Sequence, residues 1–276
     1  MTEIHCGKFR LALDRPLIMG IVNLTPDSFS GDGLASDVDR AVAHARRQVE
    51  EGADILDLGA ESTRPGVPPT PLQEELNRLL PVLERISGWG VPISIDTYKP
   101  EVMAAALAAG ADMINDISGL RDPQALEVVA DGNCGLCLMH MQGEPRTMQQ
   151  HPVYHEVVAE VRGYLSERVA ACRQAGIAGE RIVVDPGFGF GKALEHNLTL
   201  FRELPALAAD GYPVLVGVSR KSMLGAITGR PVEARQAASV AAALLAAQRG
   251  AAILRVHDVA ETRDALAVWS AIEIGR

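Results

Sequence analysis

Short apolar runs of strand length alternate along the chain with longer segments of helical spacing. The runs are PLIMGIV, DILDL, PISID, DMIND, GLCLMHM, RIVVD, PVLVGV and AILRVH. Their near-continuous apolar character predicts strands buried on both faces. After the first run the period changes: Val38, Ala41, Val42, Ala45 and Val49 recur on one helical face. That helix is expected to open with Ser36 as its N-cap, with Asp39 three residues on, and to end at Gly52. The segment TPLQ, Thr70 to Gln73, predicts a second start of the same kind, with Thr70 as the cap and Pro71 in the first turn, where a missing N–H costs nothing. Pro100 is expected to open a third helix and Gly110 to close it.

Strands that alternate with helices pair in parallel, because parallel neighbours need a long crossover and a helix supplies it. Eight such units in 276 residues fit a single (β/α)8 barrel, a TIM barrel of the α/β class, spanning residues 1–276 as one domain. An open doubly wound sheet is the alternative, but a G-x-G-x-x-G turn does not follow the first run. The segment CGKFRLALDR before Pro16 is consistent with a short N-terminal hairpin plugging the bottom of the barrel. A weak repeat supports the strand register: GADILDL, GADMIND and GAAILRV each leave a helix through Gly-Ala and enter a strand. The fourth residue after that Ala is polar each time: Asp57, Asn115 and Arg255. Such residues are expensive to bury unless they are paired or face a ligand, so they are expected at the barrel mouth.

Composition narrows the partners. The chain is 47% hydrophobic with a formal charge of −9, which argues against nucleic acid as the general partner. It shows neither a secretory leader nor an apolar run long enough to span a bilayer, so the expected location is the cytoplasm, with no membrane partner. Its four cysteines, Cys6, Cys134, Cys137 and Cys172, are too few and scattered for a disulfide framework. In the pair CGLC, strand alternation would turn Cys134 and Cys137 to opposite faces, which disfavours redox or metal work there.

The strand ends carry the candidate chemistry. In order they are Asn23; Asp57 with the loop through Arg64; Asp96; Asn115 with Asp116; His140; Asp185; Ser219 to Ser222; and Arg255 with His257. A single polar strand end has an ordinary explanation as a cap, but nearly every strand ending so predicts a polar pocket. The chain lacks a G-x-S-x-G elbow and an H-E-x-x-H helix. GFGFGK, Gly187 to Lys192, looks like a phosphate loop but lacks the required spacing, and Ala193 stands where a magnesium-binding hydroxyl would be. Asp96, Asn115 and Asp185 suit a flat heterocycle with amino and ring N–H donors. Asn23, Thr63, Arg64, Arg255 and His257 suit phosphate oxygens, with Asn23 an oxygen ligand for Mg2+.

These residues sit in blocks that resemble dihydropteroate synthase. MGIVNLTPDSFSGDG, DLGAESTRPG, ISIDTYKP, INDISG, LMHMQGEPRTMQ, VVDPGFGFGK, GVSRKSMLG and RVHDV follow the family's order and spacing over almost the whole chain. The resemblance implies a (β/α)8 barrel that joins p-aminobenzoate to 6-hydroxymethyl-7,8-dihydropterin diphosphate and releases pyrophosphate on the route to folate. It implies that Asp96, Asn115, Asp185 and Lys221 hold the pterin and that Arg255 stacks on it while reaching the diphosphate. Asn23, through Mg2+, and His257 would bind the diphosphate. Thr63 and Arg64 would belong to a loop closing over it, with Arg64 and Lys221 among the catalytic residues. Pro65, Phe29 and Phe190 would wall the p-aminobenzoate site, with Lys221 and Ser222 near its carboxylate. Many relatives read SFSDGG where this chain reads SFSGDG, so either Asp32 or Asp27 takes the catalytic loop role. Asp32 is preferred, because Asp27 follows Pro26 and can fix the turn.

Two other functions compete. A pterin-binding methyltransferase acting on a corrinoid protein would share the Asp and Asn pterin readers but would not need the arginine-bearing loop. A catalytically silent barrel would have lost strand-end polar groups. The Ala-rich helix ARQAASVAAALLAAQRG is expected either to pack on the barrel or to line a homodimer interface, as in the resembled family. His151 and His155 have no third ligand nearby in sequence and read as a solvated loop.

Overall fold

The computed structural model describes residues 1–25, 38–62 and 66–274. The chain begins with an antiparallel hairpin, β1 (Glu3–Cys6) and β2 (Phe9–Ala12), turned at Gly7, whose φ of 57° lies in the left-handed region. The barrel follows: β3 (Leu17–Asn23), α1 (Val38–Glu50), β4 (Ile55–Gly59), α2 (Leu72–Ile86), β5 (Ile93–Asp96), α3 (Pro100–Ala108), β6 (Met113–Asp116) and α4 (Pro123–Ala130). It continues with β7 (Gly135–Met139), α5 (Val157–Gln174), β8 (Ile182–Asp185), α6 (Leu194–Arg202), α7 (Leu204–Ala208), β9 (Val214–Val216), α8 (Ser222–Thr228), α9 (Gln236–Gln248), β10 (Ala251–Val256) and α10 (Val259–Trp269). The eight strands from β3 to β10 close into one parallel barrel, with β10 returning to pair with β3. The fold is the expected (β/α)8 barrel with its N-terminal hairpin.

Two apolar layers hold it. The outer layer lies between strands and helices, where Leu56, Leu58, Ile93, Ile95 and Ile114 meet α2 and α3 residues such as Leu83 and Val102. The inner layer fills the barrel's lower half: Leu17, Met19, Ile55, Met113, Cys137, Val183, Leu215 and Ile253 point inward and are capped from below by Ile4 and Cys6 of the hairpin. All four cysteines are buried and free, Cys137 in the inner layer and Cys134 in the outer one.

Helix ends follow the sequence at most points. Gly52 and Gly110, with φ of 103° and 100°, end their helices, and Pro100 opens α3. The expected Ser36 cap lies outside the described residues. The expected Thr70 cap is not formed: α2 starts at Leu72, Pro71 occupies the cap position, and no side-chain cap bond is made. Proline disfavours helical backbone in the residue before it, and Thr70 is engaged elsewhere. Its N–H donates to Glu61 Oε1 at 3.2 Å and its carbonyl accepts from Lys99 Nζ at 2.7 Å.

Candidate active site

Side chains on a strand alternate between faces, so the inward positions two residues beyond the apolar layer form the next layer up. Ile55 is followed inward by Asp57, Met113 by Asn115, Val183 by Asp185 and Ile253 by Arg255. Asp96 stands beside Asn115 in strand register. The three polar residues of the sequence repeat meet here: Asn115 Nδ2 donates to Asp57 Oδ2 at 3.2 Å, and Arg255 Nε donates to the same oxygen at 2.6 Å. The Arg255 guanidinium also reaches Asp96 Oδ2 at 2.8 Å. Asp57 is fully buried, and its other oxygen has no hydrogen-bond partner among the described residues.

Crowding of charge in this layer moves its proton affinities. Burial pushes the Asp96 carboxyl up to about 7; Arg255 pulls it back and Asp57 pushes it further. Burial likewise raises Asp185, opposed chiefly by Lys221, and lowers the Lys221 ammonium to about 8, opposed by Asp185. Burial also works against the charge of Arg255, but Asp57 and Asp96 outweigh it and its pKa rises. The result is a desolvated rim whose carboxylates and cations sit close enough to feel one another.

One inward step higher are Asn23, Gly59, Ser219 and His257. Asn23 ends β3 beside Gly59 of β4. Ser219 Oγ contacts both the backbone N–H of His257, at 3.3 Å, and its Nδ1, at 3.0 Å. Burial lowers His257 to about 3, with Arg220, Arg255, His44 and Lys221 adding to the effect. The imidazole is therefore neutral at physiological pH. A hydroxyl that donates to Nδ1 leaves Nε2–H as the ring's remaining donor.

Just beyond Ser219, after β9, Lys221 Nζ donates to Phe188 O at 2.5 Å and lies 4.8 Å from the Phe190 ring centroid. Phe190 packs with Tyr98 against a small apolar cluster of Ile117, Met139, Met141 and Met148. Ser222, exposed, opens α8 directly after Lys221. The structure thus draws Asp96, Asn115, Asp185, Lys221, Arg255 and His257 to one end of the barrel, with Asn23 and Phe190 at the same rim. Asp27, Phe29, Asp32, Thr63, Arg64 and Pro65 lie outside the described residues.

Some strand-end groups serve the fold instead. Asp116 accepts from Ser118 N, Ser118 Oγ and Leu120 N and so builds its own turn. Glu61 is tied to Tyr98 Oη at 2.8 Å and to Lys99, which also binds Glu75 Oε2 at 2.6 Å. His151 and His155 are exposed, as expected of a solvated loop. Sequence reasoning marked Asp57 and Ser219 as polar strand ends without assigning them work, and it missed the Met-rich wall. The LMHM run carried that signal, since two of its methionines fall on the inward face.

Among the described residues no group of three His, Cys, Asp or Glu side chains is assembled to hold a metal ion. The Asn23 amide oxygen, at the end of β3, is a donor of the type Mg2+ accepts, since that ion takes oxygen ligands and keeps much of its shell as water and phosphate.

The model of the pterin binding enzyme family matches residues 19–257. Dihydropteroate synthase of Neisseria meningitidis serogroup C is 55% identical over 275 residues, covering 98% of this chain and 97% of its own. The chain belongs to the dihydropteroate synthase family. Solved structures of the family superpose over 99% of this chain. The Burkholderia cenocepacia dihydropteroate synthase complexed with 7,8-dihydropteroate has a TM-score of 0.91 at 56% identity and is covered over 97% of its length. The Xanthomonas albilineans dihydropteroate synthase with 4-aminobenzoic acid has a TM-score of 0.91 at 54% identity and is covered over 98%. Membership places the rim of Asp57, Asp96, Asn115 and Arg255 in a family of transferases of folate biosynthesis.

Proposed function

We infer that the chain joins 6-hydroxymethyl-7,8-dihydropterin diphosphate to p-aminobenzoate, yielding 7,8-dihydropteroate and pyrophosphate. The observation that carries this reading is the hydrogen-bonded layer of Asp57, Asp96, Asn115 and Arg255 at one barrel rim, beside Asp185 and Lys221. Acceptors and an amide in a desolvated layer match the amino and ring N–H edge of a pterin, where charge-assisted bonds are strong. Arg255, held by two carboxylates, stacks on the ring and reaches the diphosphate, as the family resemblance implies.

The chemistry needs no protein nucleophile. Electron donation from the dihydropterin ring stabilises a cation at the exocyclic methylene as pyrophosphate departs, an SN1-like course in which the protein's work is electrostatic and positional. His257 donates a hydrogen bond from Nε2–H to the leaving diphosphate, oriented by Ser219. Thr63 and Arg64 add donors and charge on the same side. Asn23 would hold Mg2+ on this side, and the ion would supply further positive charge toward the leaving group. Lys221 and Ser222 receive the p-aminobenzoate carboxylate, and Phe29, Pro65 and Phe190 wall its ring. Asp32, or Asp27, accepts the aryl-amine proton.

The Met-rich wall and the Lys221–Phe190 pair offer a place for a separate aryl amine, which a methyltransferase acting on a corrinoid protein would not need. We place the chain in the cytoplasm, with which four free cysteines agree. We take it as one barrel domain that pairs with a second copy. Exposed Ile227, Leu245, Val268 and Ile272, on α8, α9, α10 and the turn after it, supply the apolar face for that pairing. The test is direct. Purified protein given the pterin diphosphate, p-aminobenzoate and Mg2+ should release pyrophosphate only when both organic substrates are present, with dihydropteroate as the product. Pyrophosphate release without p-aminobenzoate, or none at all, overturns the assignment.

A further inference from the structure

In the loop from Gly187 to Gly191 every backbone carbonyl is met by a side-chain donor. Lys192 Nζ donates to Gly187 O at 2.9 Å and to Phe190 O at 3.0 Å. Lys221 Nζ takes Phe188 O at 2.5 Å, Gln149 Nε2 takes Gly189 O, and Tyr154 Oη takes Gly191 O at 2.8 Å. Three of its amides are committed too: Gly187 N–H goes to Asp185 Oδ1 and Gly189 N–H to Asn197 Oδ1, both at 2.7 Å, and Phe190 N–H to Gly187 O at 3.1 Å. A segment that reads like a phosphate loop is therefore inverted. Three of its carbonyls face ammonium groups, and these N–H groups are not free to cradle an anion.

Lys192 is the hub of this arrangement. It is 3% exposed, and its ammonium also contacts His140 Nδ1 at 2.9 Å and His140 O at 3.4 Å. Burying an ammonium is costly unless its donors are satisfied, and here carbonyls and an imidazole satisfy them. Burial still lowers it to about 7, opposed by Asp185 and reinforced by Lys221. Close packing fixes the loop against the turn after β7. Gly187 has φ of 68°, and a Cβ there would fall 1.9 Å from His140 O. At Gly191 a Cβ would fall 2.5 Å from Gln142 O. The loop's other side carries Phe190, against the Met-rich wall and under Lys221.

We propose that Lys192 is a positioning residue for p-aminobenzoate capture: by binding Gly187 O, Phe190 O and His140 Nδ1 from beneath, it holds Phe190 and Lys221 where they receive the arene and its carboxylate. This rests on the reading that Phe190 and Lys221 contact p-aminobenzoate. The pterin readers Asp96 and Asn115 lie on other strands and Asp185 belongs to β8 before the loop, whereas Lys221 is shared, so loosening the loop should weaken p-aminobenzoate capture more than pterin binding.

Steady-state kinetics of Lys192→Met, Lys192→Arg and Phe190→Ala, with thermal denaturation of each, test it. Lys192→Met should raise KM for p-aminobenzoate about tenfold and KM for the pterin diphosphate by no more than about threefold, the smaller effect reflecting the shared Lys221. Lys192→Arg, which restores donors, should recover most of that loss. Equal rises in both KM values, or no change in either, would overturn the proposal and leave Lys192 a purely structural residue. Phe190→Ala separates the premise. If it leaves the p-aminobenzoate KM unchanged, the arene reading falls and takes the proposal with it. If it raises that KM while Lys192→Met does not, the positioning role alone is wrong. Should Lys192→Met fail to fold, Tyr154→Phe and Gln149→Ala each remove one donor from the same loop. Either should raise the p-aminobenzoate KM about two- to threefold and the pterin KM by less, and silence in both counts against the idea.

Discussion

Below its midpoint the barrel interior is filled by Ile55, Met113, Val183 and Ile253, whereas one inward step higher the same four strands present Asp57, Asn115, Asp185 and Arg255. Both layers are desolvated, yet they solve burial in opposite ways. The lower one removes apolar surface from water and is sealed by Ile4 and Cys6 of the hairpin. The upper one buries charge and must pair it: Arg255 bridges Asp57 and Asp96, and Asn115 shares the Asp57 oxygen. A buried ion network is a weak source of stability, because desolvation offsets most of the attraction. The lower layer therefore carries the fold and the upper layer carries recognition.

The comparison breaks most visibly at Arg255. Arg255→Met should leave Asp57 and Asp96 uncompensated, cost about 3–5 kcal/mol in denaturant unfolding and abolish measurable pterin binding. A variant of near-parental stability would mean the network is already solvated. Ile253, two residues earlier on the same strand, should behave differently. Ile253→Ala should cost about 3 kcal/mol by leaving a cavity, yet change KM for either substrate by less than about twofold. If that substitution instead impairs pterin binding, the layers are not separable.

Proton linkage sharpens the contrast. Asp96 is raised to about 7 by burial, from an ordinary 3.8, so between those values the folded protein holds a proton that the unfolded chain has released. Its contribution to stability is thus present at low pH and is lost as pH rises toward 7. Asp96→Asn removes the ionisation. The melting temperature of the variant relative to the parent should therefore climb from pH 4 to pH 8, and a flat difference would show that Asp96 titrates normally. The smallest effect is expected at exposed His151, where His151→Ala should alter stability by less than about 0.5 kcal/mol and leave turnover unchanged.

Much of this was legible in the chain because the barrel imposes one rule on every unit. Apolar runs of strand length alternating with helical spacing led to the closed sheet, and polar residues at matching repeat positions led to the mouth. Asp57, Asn115 and Arg255, on the separate strands β4, β6 and β10, do meet in one hydrogen-bonded group. What sequence could not supply was how each polar group is spent. Asp116 and Glu61 look like site residues in their motifs but bind their own turn and Lys99. Thr70 reads as a cap, yet its backbone is held by Glu61 and Lys99 and the helix starts later. GFGFGK suggests an anion cradle only until the direction of its carbonyls is known. In each case the deciding partner lies on another segment of the chain.

Calorimetric titration of the pterin diphosphate into the parent and into Asp185→Asn tests the recognition layer most directly. The substitution keeps shape and removes a charge-assisted acceptor that is raised but still faces Lys221. The dissociation constant should rise at least tenfold while the melting temperature stays within a few degrees of the parent. Equal affinity in the two proteins would contradict the assignment of this rim to the pterin.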